Sequence, residues 1–306
     1  MIVIACPGQG SQTPGFMNPW LELDVYAQAI DEMSSASGVD LRKHGTESDA
    51  DTIRDTAIAQ PLIVAASVAS YAALLSVAPD FVPGAIVGHS VGEIAAATIA
   101  GIFDTEQGIR FVTARGKAMA AAAALESTSM AAVIGGDWDV VSAALDSLGL
   151  SPANYNGGGQ VVVAGSTAAI TELAANAPTG SRVIPLQVAG AFHTKFMQPA
   201  VASLREHAAT LTVNDPNVSI LTNKDGSTVA SGSDYLELLI NQVSNPVRWD
   251  LCMDSLSAAG ASAVIELSPA GALVGLAKRG MSGVATLAIK TPENLAAATE
   301  LIGSQG

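Results

Sequence analysis

Gly88-His89-Ser90-Val91-Gly92-Glu93 follows the apolar run Ala85-Ile86-Val87 and precedes a small-residue helical stretch at 94–100. This is a G-x-S-x-G pattern in the setting its chemistry needs, a buried strand turning sharply into a helix. Such a turn lifts the serine hydroxyl above the sheet edge and points the first helical N–H groups at whatever the serine attacks. Ser90 is therefore the candidate nucleophile for covalent acyl chemistry. With 29 glycines in the chain the bare pattern arises easily by chance, so the flanking strand and helix carry the weight.

Outward from this turn, strand-length apolar runs alternate with helical patterns. Ile2–Cys6 reads as a strand, helices are predicted near 16–33, 61–75 and 108–125, and the Ser90 strand and helix lie between the last two. A parallel sheet covered by helices is the natural solution to that alternation. Between about Met130 and Val188 the rhythm changes. Strands are predicted at 131–134, 152–155, 161–164 and 182–187, with helices at 137–148 and 168–177. That order, βαββαβ, is the ferredoxin-like unit, small enough to be inserted into a larger domain. The α/β pattern then resumes, with strands predicted near 218–221, 262–266 and 285–289. The expected fold class is α/β, with a catalytic core of 1–128 and 189–306 and an insert of 129–188. The chain leaves the insert through Val188-Ala189-Gly190-Ala191-Phe192-His193-Thr194, which predicts His193 at the cleft between the two parts.

Composition narrows the function classes. At 306 residues the chain buries about three quarters of its unfolded surface, enough for a sizeable core. Net charge is −14, which disfavours nucleic acid and anionic membrane as partners. The longest apolar segment, 62–75, contains Ser67 and Ser70 and is too short to span a bilayer. The first residues lack a basic region and a long apolar stretch, so no signal peptide is expected and the cytoplasm is the expected location. Cys6 and Cys252 form no framework and read as free core thiols. No Cys/His cluster has metal-ligand spacing, and no metal or other cofactor is expected.

A serine needs a base near neutral pH, and four histidines are available. His44 lies in a polar stretch and reads as surface. His207, beside Glu206 in a helix near 199–209, reads as a solvated face. His89 adjoins Ser90, but neighbours on such a turn point apart, so it reads as stabilising the loop, with contact to substrate as the alternative. His193 remains, in a glycine-flanked turn after an apolar strand; beside Phe192, a satisfied core histidine is the alternative. No Asp or Glu between Ser90 and His193 stands out as the acid that hydrolases with this turn use to hold the imidazole. A dyad with a neutral orienting group is the alternative, and the polar turn Gln242-Val243-Ser244-Asn245-Pro246 can supply one. The first loop, Pro7-Gly8-Gln9-Gly10-Ser11-Gln12-Thr13, fails the dinucleotide pattern because Thr13 stands where glycine is required. It can present the Gln9 N–H to an oxyanion, or be a tight turn with no chemical role.

Five motifs now stand in order: Pro7-Gly8-Gln9-Gly10-Ser11-Gln12, Gly88 to Glu93, Arg115-Gly116-Lys117-Ala118-Met119, Gly190-Ala191-Phe192-His193-Thr194, and Gln242 through Asn245-Pro246-Val247-Arg248-Trp249. In order and spacing they resemble the malonyl-CoA:acyl carrier protein transacylases, over nearly the full chain and closest to the stand-alone actinobacterial enzymes of fatty acid synthesis. The resemblance implies an α/β-hydrolase-like core with an inserted ferredoxin-like subdomain. It implies that Ser90 attacks a malonyl thioester with His193 as base and then acid, that Gln242 helps hold the His193 ring, and that the Gln9 and Val91 N–H groups form the oxyanion hole. It also implies Arg115, Phe192 and Met119 as substrate-binding residues. By pattern alone Arg115 is an ordinary surface arginine. As a clamp, its guanidinium matches a carboxylate bidentately, and an acetyl group would leave it buried and unpaired, at a cost of about 1.5–3 kcal/mol. A bulky Phe192 leaves little room for an α-methyl branch, which makes for a partial preference.

The implied partners are a coenzyme A thioester and an acyl carrier protein, met by a monomer. Because both carrier and enzyme are acidic, local basic residues must do the docking, with Lys117, Lys195, Arg248, Lys278 and Arg279 as candidates. The alternatives are a serine hydrolase or thioesterase using the same dyad, a non-catalytic carrier-binding subunit, and the same transfer serving a polyketide pathway.

Overall fold

Every residue of strand β1 (Ile2–Cys6) is buried, as a strand flanked by parallel neighbours and covered on both faces requires. The computed structural model describes residues 1–304. After β1 come α1 (Asp24–Ser37), α2 (Leu41–Thr46), α3 (Thr56–Val77), β2 (Ala85–Gly88), α4 (Gly92–Ile99) and α5 (Thr105–Ala123). The helix predicted from 16 starts later, with one 3-10 turn at Trp20–Glu22 before α1. The next stretch runs β3 (Thr128–Gly135), α6 (Trp138–Leu148), β4 (Ser151–Gly157), β5 (Gln160–Ser166), α7 (Thr167–Ala175) and β6 (Ser181–Pro185). The chain closes with α8 (Gln198–Ala208), α9 (Gly232–Gln242), β7 (Val247–Arg248), α10 (Trp249–Ala258), β8 (Ala263–Glu266), α11 (Ala272–Gly280), β9 (Ala285–Ala288) and α12 (Asn294–Ser304).

The result is a mixed α/β fold with two sheets. One is fully parallel in the order β2-β1-β8-β9. Its register pairs Cys6 with Gly88 and Ala5 with Glu266, so three strands end at one level. Ligands of open parallel sheets bind beyond that edge. The second sheet has the order β6-β3-β5-β4-β7, antiparallel except for the β4–β7 pair. Its residues alternate: Ala131, Val133 and Val163 pack with Val141, Leu145 and Leu173 in a core of their own, while Met130, Ala132, Val162 and Ala164 join the main core. The sequence reading missed β7, a two-residue strand contributed from far beyond the insert.

Two expectations are corrected. The strand predicted at 218–221 is reduced to two isolated bridges, Ile86–Ile220 and Leu221–Thr228, because the chain turns away so that the Asn223 N–H can donate to Glu93. The apolar segment predicted to be too short belongs to a 22-residue helix, α3, long and apolar enough to cross a membrane by those two criteria. It is instead largely buried within the protein, packed on α1, α4 and α5.

The edge near the site is tied down by a buried acid. The Glu266 carboxylate, at the end of β8, accepts from the Leu273 and Val274 N–H groups at 3.0 and 2.9 Å. An acceptor at a helix N-terminus satisfies orphan donors and meets the positive end of the dipole. Helix α11, a wall of the cleft, is thereby anchored to the parallel sheet.

Candidate active site

Only two non-glycine residues among those described have positive φ, Ser90 at 53° and His193 at 62°. Such backbone persists only where the surroundings over-determine it, and it concentrates at functional sites. For Ser90 the surroundings are two glycines at the elbow. A Cβ on Gly88 would lie 2.1 Å from the Gly92 carbonyl carbon, and one on Gly92 would lie 2.1 Å from the Cys6 carbonyl oxygen. The turn closes this tightly only with glycine at both places.

The two residues meet. The Ser90 hydroxyl donates to His193 Nε2 at 2.7 Å. His193 is 4% exposed, and its Nδ1 donates to the Gln242 carbonyl oxygen at 2.9 Å, which fixes the tautomer and leaves Nε2 as the acceptor. Gln242 is the last residue of α9, where helical carbonyls lack intrahelical partners and the dipole is negative. A helix end therefore stands where hydrolases place a carboxylate. Gln242 thus stands against the His193 ring as expected, through its backbone carbonyl, while its side chain faces Arg115 and Glu93.

The Ser90 N–H donates to Asn223 Oδ1 at 2.7 Å and is not free for an oxyanion. The Gln9 and Val91 N–H groups have no protein acceptor among the described residues, and both residues line the same cleft. Gln9 follows β1 and Val91 follows the elbow, so the aligned strand ends bring the two donors together. The Gln9 side chain turns away to the Arg54 carbonyl, 3.3 Å.

Arg115, on α5, is 1% exposed, not the surface residue its helix pattern suggests. Its Nη1 donates to Gln60 Oε1 at 2.7 Å, and its Nη2 donates to Gln242 Oε1 at 2.9 Å and to Ser90 Oγ at 3.4 Å. The guanidinium sits behind the nucleophile; Ser90 and Gln60 line the cleft and Arg115 does not. Burial pulls its pKa down to about 10, against the attraction of Glu93. Glu93, 2% exposed, accepts from Asn223 N–H at 2.6 Å, from the Tyr235 hydroxyl at 3.4 Å and from Gln242 Nε2. Burial pushes its carboxyl up to about 8, opposed by the Asn223 N–H, by Arg115 and by the Tyr235 hydroxyl. Glu93, Asn223 and Gln60 were missed in the sequence. The readable signal was Glu93 itself, a lone carboxylate on the first turn of an otherwise apolar helix.

The cleft has a volume of about 400 Å³, with Phe192 and Met119 in its walls. His89 donates to Asn156 Oδ1 at 3.0 Å and packs against Trp249, tying the elbow to β4. His44 bonds Ser48 away from the site. His207 is half-buried beside the exposed Glu206: its ring stacks on Phe111, and its Nε2 is buried without a partner among the described residues. Of the basic residues, Lys117, Lys195 and Lys278 are exposed and Arg279 stands at the cleft mouth. Arg248 is engaged, paired with Asp250 at 2.8 Å and lying over the Tyr155 ring.

Burial, and then the positive charge of Arg115, lower the His193 pKa from 6.5 to about 3. A neutral imidazole can take the serine proton and a protonated one cannot, so a lowered pKa moves the loss of that capacity toward acid. The acid limb of kcat/KM for acyl-enzyme formation, measured by rapid quench, is expected well below pH 6.5. A limb at or above 6.5 would show that the imidazole is not held in this environment.

A family model described as an acyl transferase domain matches residues 3–299. The chain is 43% identical over 299 residues to the malonyl CoA-acyl carrier protein transacylase of Mycobacterium tuberculosis, covering 96% of this chain and 98% of that one. A crystal structure of MCAT from the same organism superposes with a TM-score of 0.92 at 44% identity, covering 96% and 98% of the two chains. A malonyl-transacylase solved in complex with its type II PKS acyl-carrier protein gives a TM-score of 0.92 at 29% identity, covering 98% and 99%. With an acyl transferase model spanning nearly its whole length and relatives matched end to end, the chain belongs to the acyl transferase family of malonyl CoA-acyl carrier protein transacylases.

Proposed function

We propose that the chain moves a malonyl group from malonyl-CoA to the phosphopantetheine thiol of an acyl carrier protein, through a malonyl ester on Ser90, and supplies fatty acid synthesis. The observation that carries this reading is one hydroxyl with two partners: Ser90 Oγ lies 2.7 Å from a neutral, oriented imidazole and 3.4 Å from a buried guanidinium. The first partner makes a nucleophile, and the second offers a countercharge for an acyl group that ends in a carboxylate.

Ser90 Oγ attacks the thioester carbonyl carbon as its proton passes to His193 Nε2. The oxyanion is received by the Gln9 and Val91 N–H groups; each such donor is worth about 10²–10³ in rate. Collapse expels the coenzyme A thiol, which takes the proton from His193. The carrier's thiol then gives its proton to the same nitrogen and attacks the malonyl ester, and Ser90 Oγ leaves, taking that proton back from His193. The imidazolium formed twice in the cycle is stabilised by the carbonyl end of α9. Arg115 holds the distal carboxylate through Nη2, in place of its long contact to Ser90. Phe192 and Met119 bound the acyl group.

In this reading 1–128 and 189–306 form an α/β-hydrolase-like core and 129–188 a ferredoxin-like insert. The insert's strand order, outer fourth strand beside the first and third beside the second, supports the latter. The solved complex with a type II PKS carrier supports a second reading, the same transfer in a polyketide pathway.

The test is intact-protein mass spectrometry after mixing with malonyl-CoA or acetyl-CoA, then adding a holo carrier protein. A malonyl adduct that vanishes as the carrier gains it supports the transferase; loss to water at the same rate without carrier makes the protein a hydrolase. Arg115→Ala is expected to reduce the malonyl-over-acetyl acylation ratio about 10- to 150-fold, the worth of one buried charge-assisted hydrogen bond.

A further inference from the structure

Glu93 has three partners and no part in the reaction steps. It stands on the first turn of α4, three residues after the nucleophile, and its carboxylate faces away from the acyl cleft. With Gln242 it lines a separate cavity of about 450 Å³ behind the cleft, bordered also by Lys224, Asn241 and Asn245. Glu93 therefore does not meet the acyl group.

Each of its oxygens faces a donor, the Asn223 N–H on Oε1 and Gln242 Nε2 on Oε2, while the Tyr235 hydroxyl near Oε1 shares its one proton with the Leu221 carbonyl at 3.1 Å. Only a group with two acceptor atoms satisfies this set. Gln242 has one acceptor end and one donor end. With its NH2 held by Glu93, its oxygen must face Arg115, where it accepts from Nη2 at 2.9 Å.

We propose that Glu93 is a positioning residue for acyl-group selection, whose carboxylate sets the orientation of the Gln242 amide and, through it, the aim of the Arg115 guanidinium. The assignment rests on the reading of Arg115 as the clamp for the acyl carboxylate. A reversed Gln242 amide would turn donor hydrogens toward the guanidinium and leave it held by Gln60, 2.7 Å away, and by the long 3.4 Å contact to Ser90. A buried donor facing a cation is costly, and the guanidinium would swing from the nucleophile. The opposite directions in which burial pushes the Glu93 and Arg115 ionisations are resisted by their mutual attraction across this one amide.

Glu93→Gln keeps the size and removes the second acceptor. Its amide must present NH2 either to the Asn223 N–H or to the Gln242 NH2. The malonyl-over-acetyl ratio of Ser90 acylation, read by intact mass, is expected to fall about tenfold or more, with the change carried by KM for malonyl-CoA. The double variant Glu93→Gln/Gln242→Glu places the amide at 93 and the carboxylate at 242, restoring the run of donors and acceptors to Arg115, and is expected to recover the ratio. A Glu93→Gln protein that keeps the wild-type ratio, or that slows malonyl and acetyl transfer equally, overturns the proposal. So does a folded double variant without recovery. If Glu93→Gln alone does not fold, the double variant decides: a retained ratio supports the assignment and a lost one overturns it. Arg115→Ala, run alongside, separates the two readings. If it keeps the malonyl preference the clamp itself fails, whereas if it loses the preference and Glu93→Gln does not, only the role of Glu93 fails.

Discussion

Ser90→Ala is expected to abolish the acyl adduct and to lower malonyl transfer by about 10⁵-fold or more. The expectation rests on the geometry of one contact. Ser90 Oγ has the 2.7 Å hydrogen bond to His193 Nε2, and no other hydroxyl or thiol shares that partner among the described residues. Cys6 and Cys252 are both buried. Burial raises both thiols far above the range in which a thiolate forms. His193→Ala should cost nearly as much, because a hydroxyl without a base is a poor nucleophile at neutral pH. The double variant should be little worse than either single one, since residues that act as one unit are not additive. Measuring single-turnover acylation for all three variants checks this. Independent, multiplying losses would show that serine and histidine do not act together.

The second large effect concerns the elbow. Gly92→Ala would set a methyl 2.1 Å from the Cys6 carbonyl oxygen and 2.7 Å from that of Pro7, both backbone atoms of the strand end and loop that carry Gln9. No flexible side chain is there to give way, so α4 or β1 must move. Overpacking of this kind costs about 3 kcal/mol or more, and the urea midpoint is expected to fall by about 1 M or more. Gly88→Ala meets the backbone of Gly92 and Glu93 at 2.1–2.2 Å and should behave alike. Even a variant that folds should lose reactivity of Ser90 toward a fluorophosphonate, because the positive φ of the serine depends on this close approach. A wild-type midpoint together with wild-type reactivity would show that the elbow does not need the two glycines.

Both predictions draw on residues that are legible in the chain itself. A G-x-S-x-G between an apolar run and a small-residue helix names its own backbone conformation, and the change of rhythm after Met130 marks the second sheet. These signals are local. Strand β7, by contrast, has two residues and no period to read, and it exists only because β4 offers an edge to pair with. The bridge at Ile220 shows the converse. Its apolar pattern suits a strand, but two residues later the chain is claimed by Glu93 and Ser90 through Asn223.

The sequence by itself singled out Ser90 as the candidate nucleophile, the α/β alternation and, by elimination among four histidines, His193 as the candidate base. It did so because backbone turns and burial patterns are written in neighbouring residues. Only the tertiary structure decided what surrounds them. Ser90 and His193 are 103 residues apart, Arg115 and Gln242 are 127 apart, and Glu93 and Gln242 are 149 apart. No period links such positions. The aligned ends of parallel strands and the exposed carbonyls at the end of α9 bring them together, turning a surface-like arginine inward and setting the backbone carbonyl of Gln242 against the His193 ring.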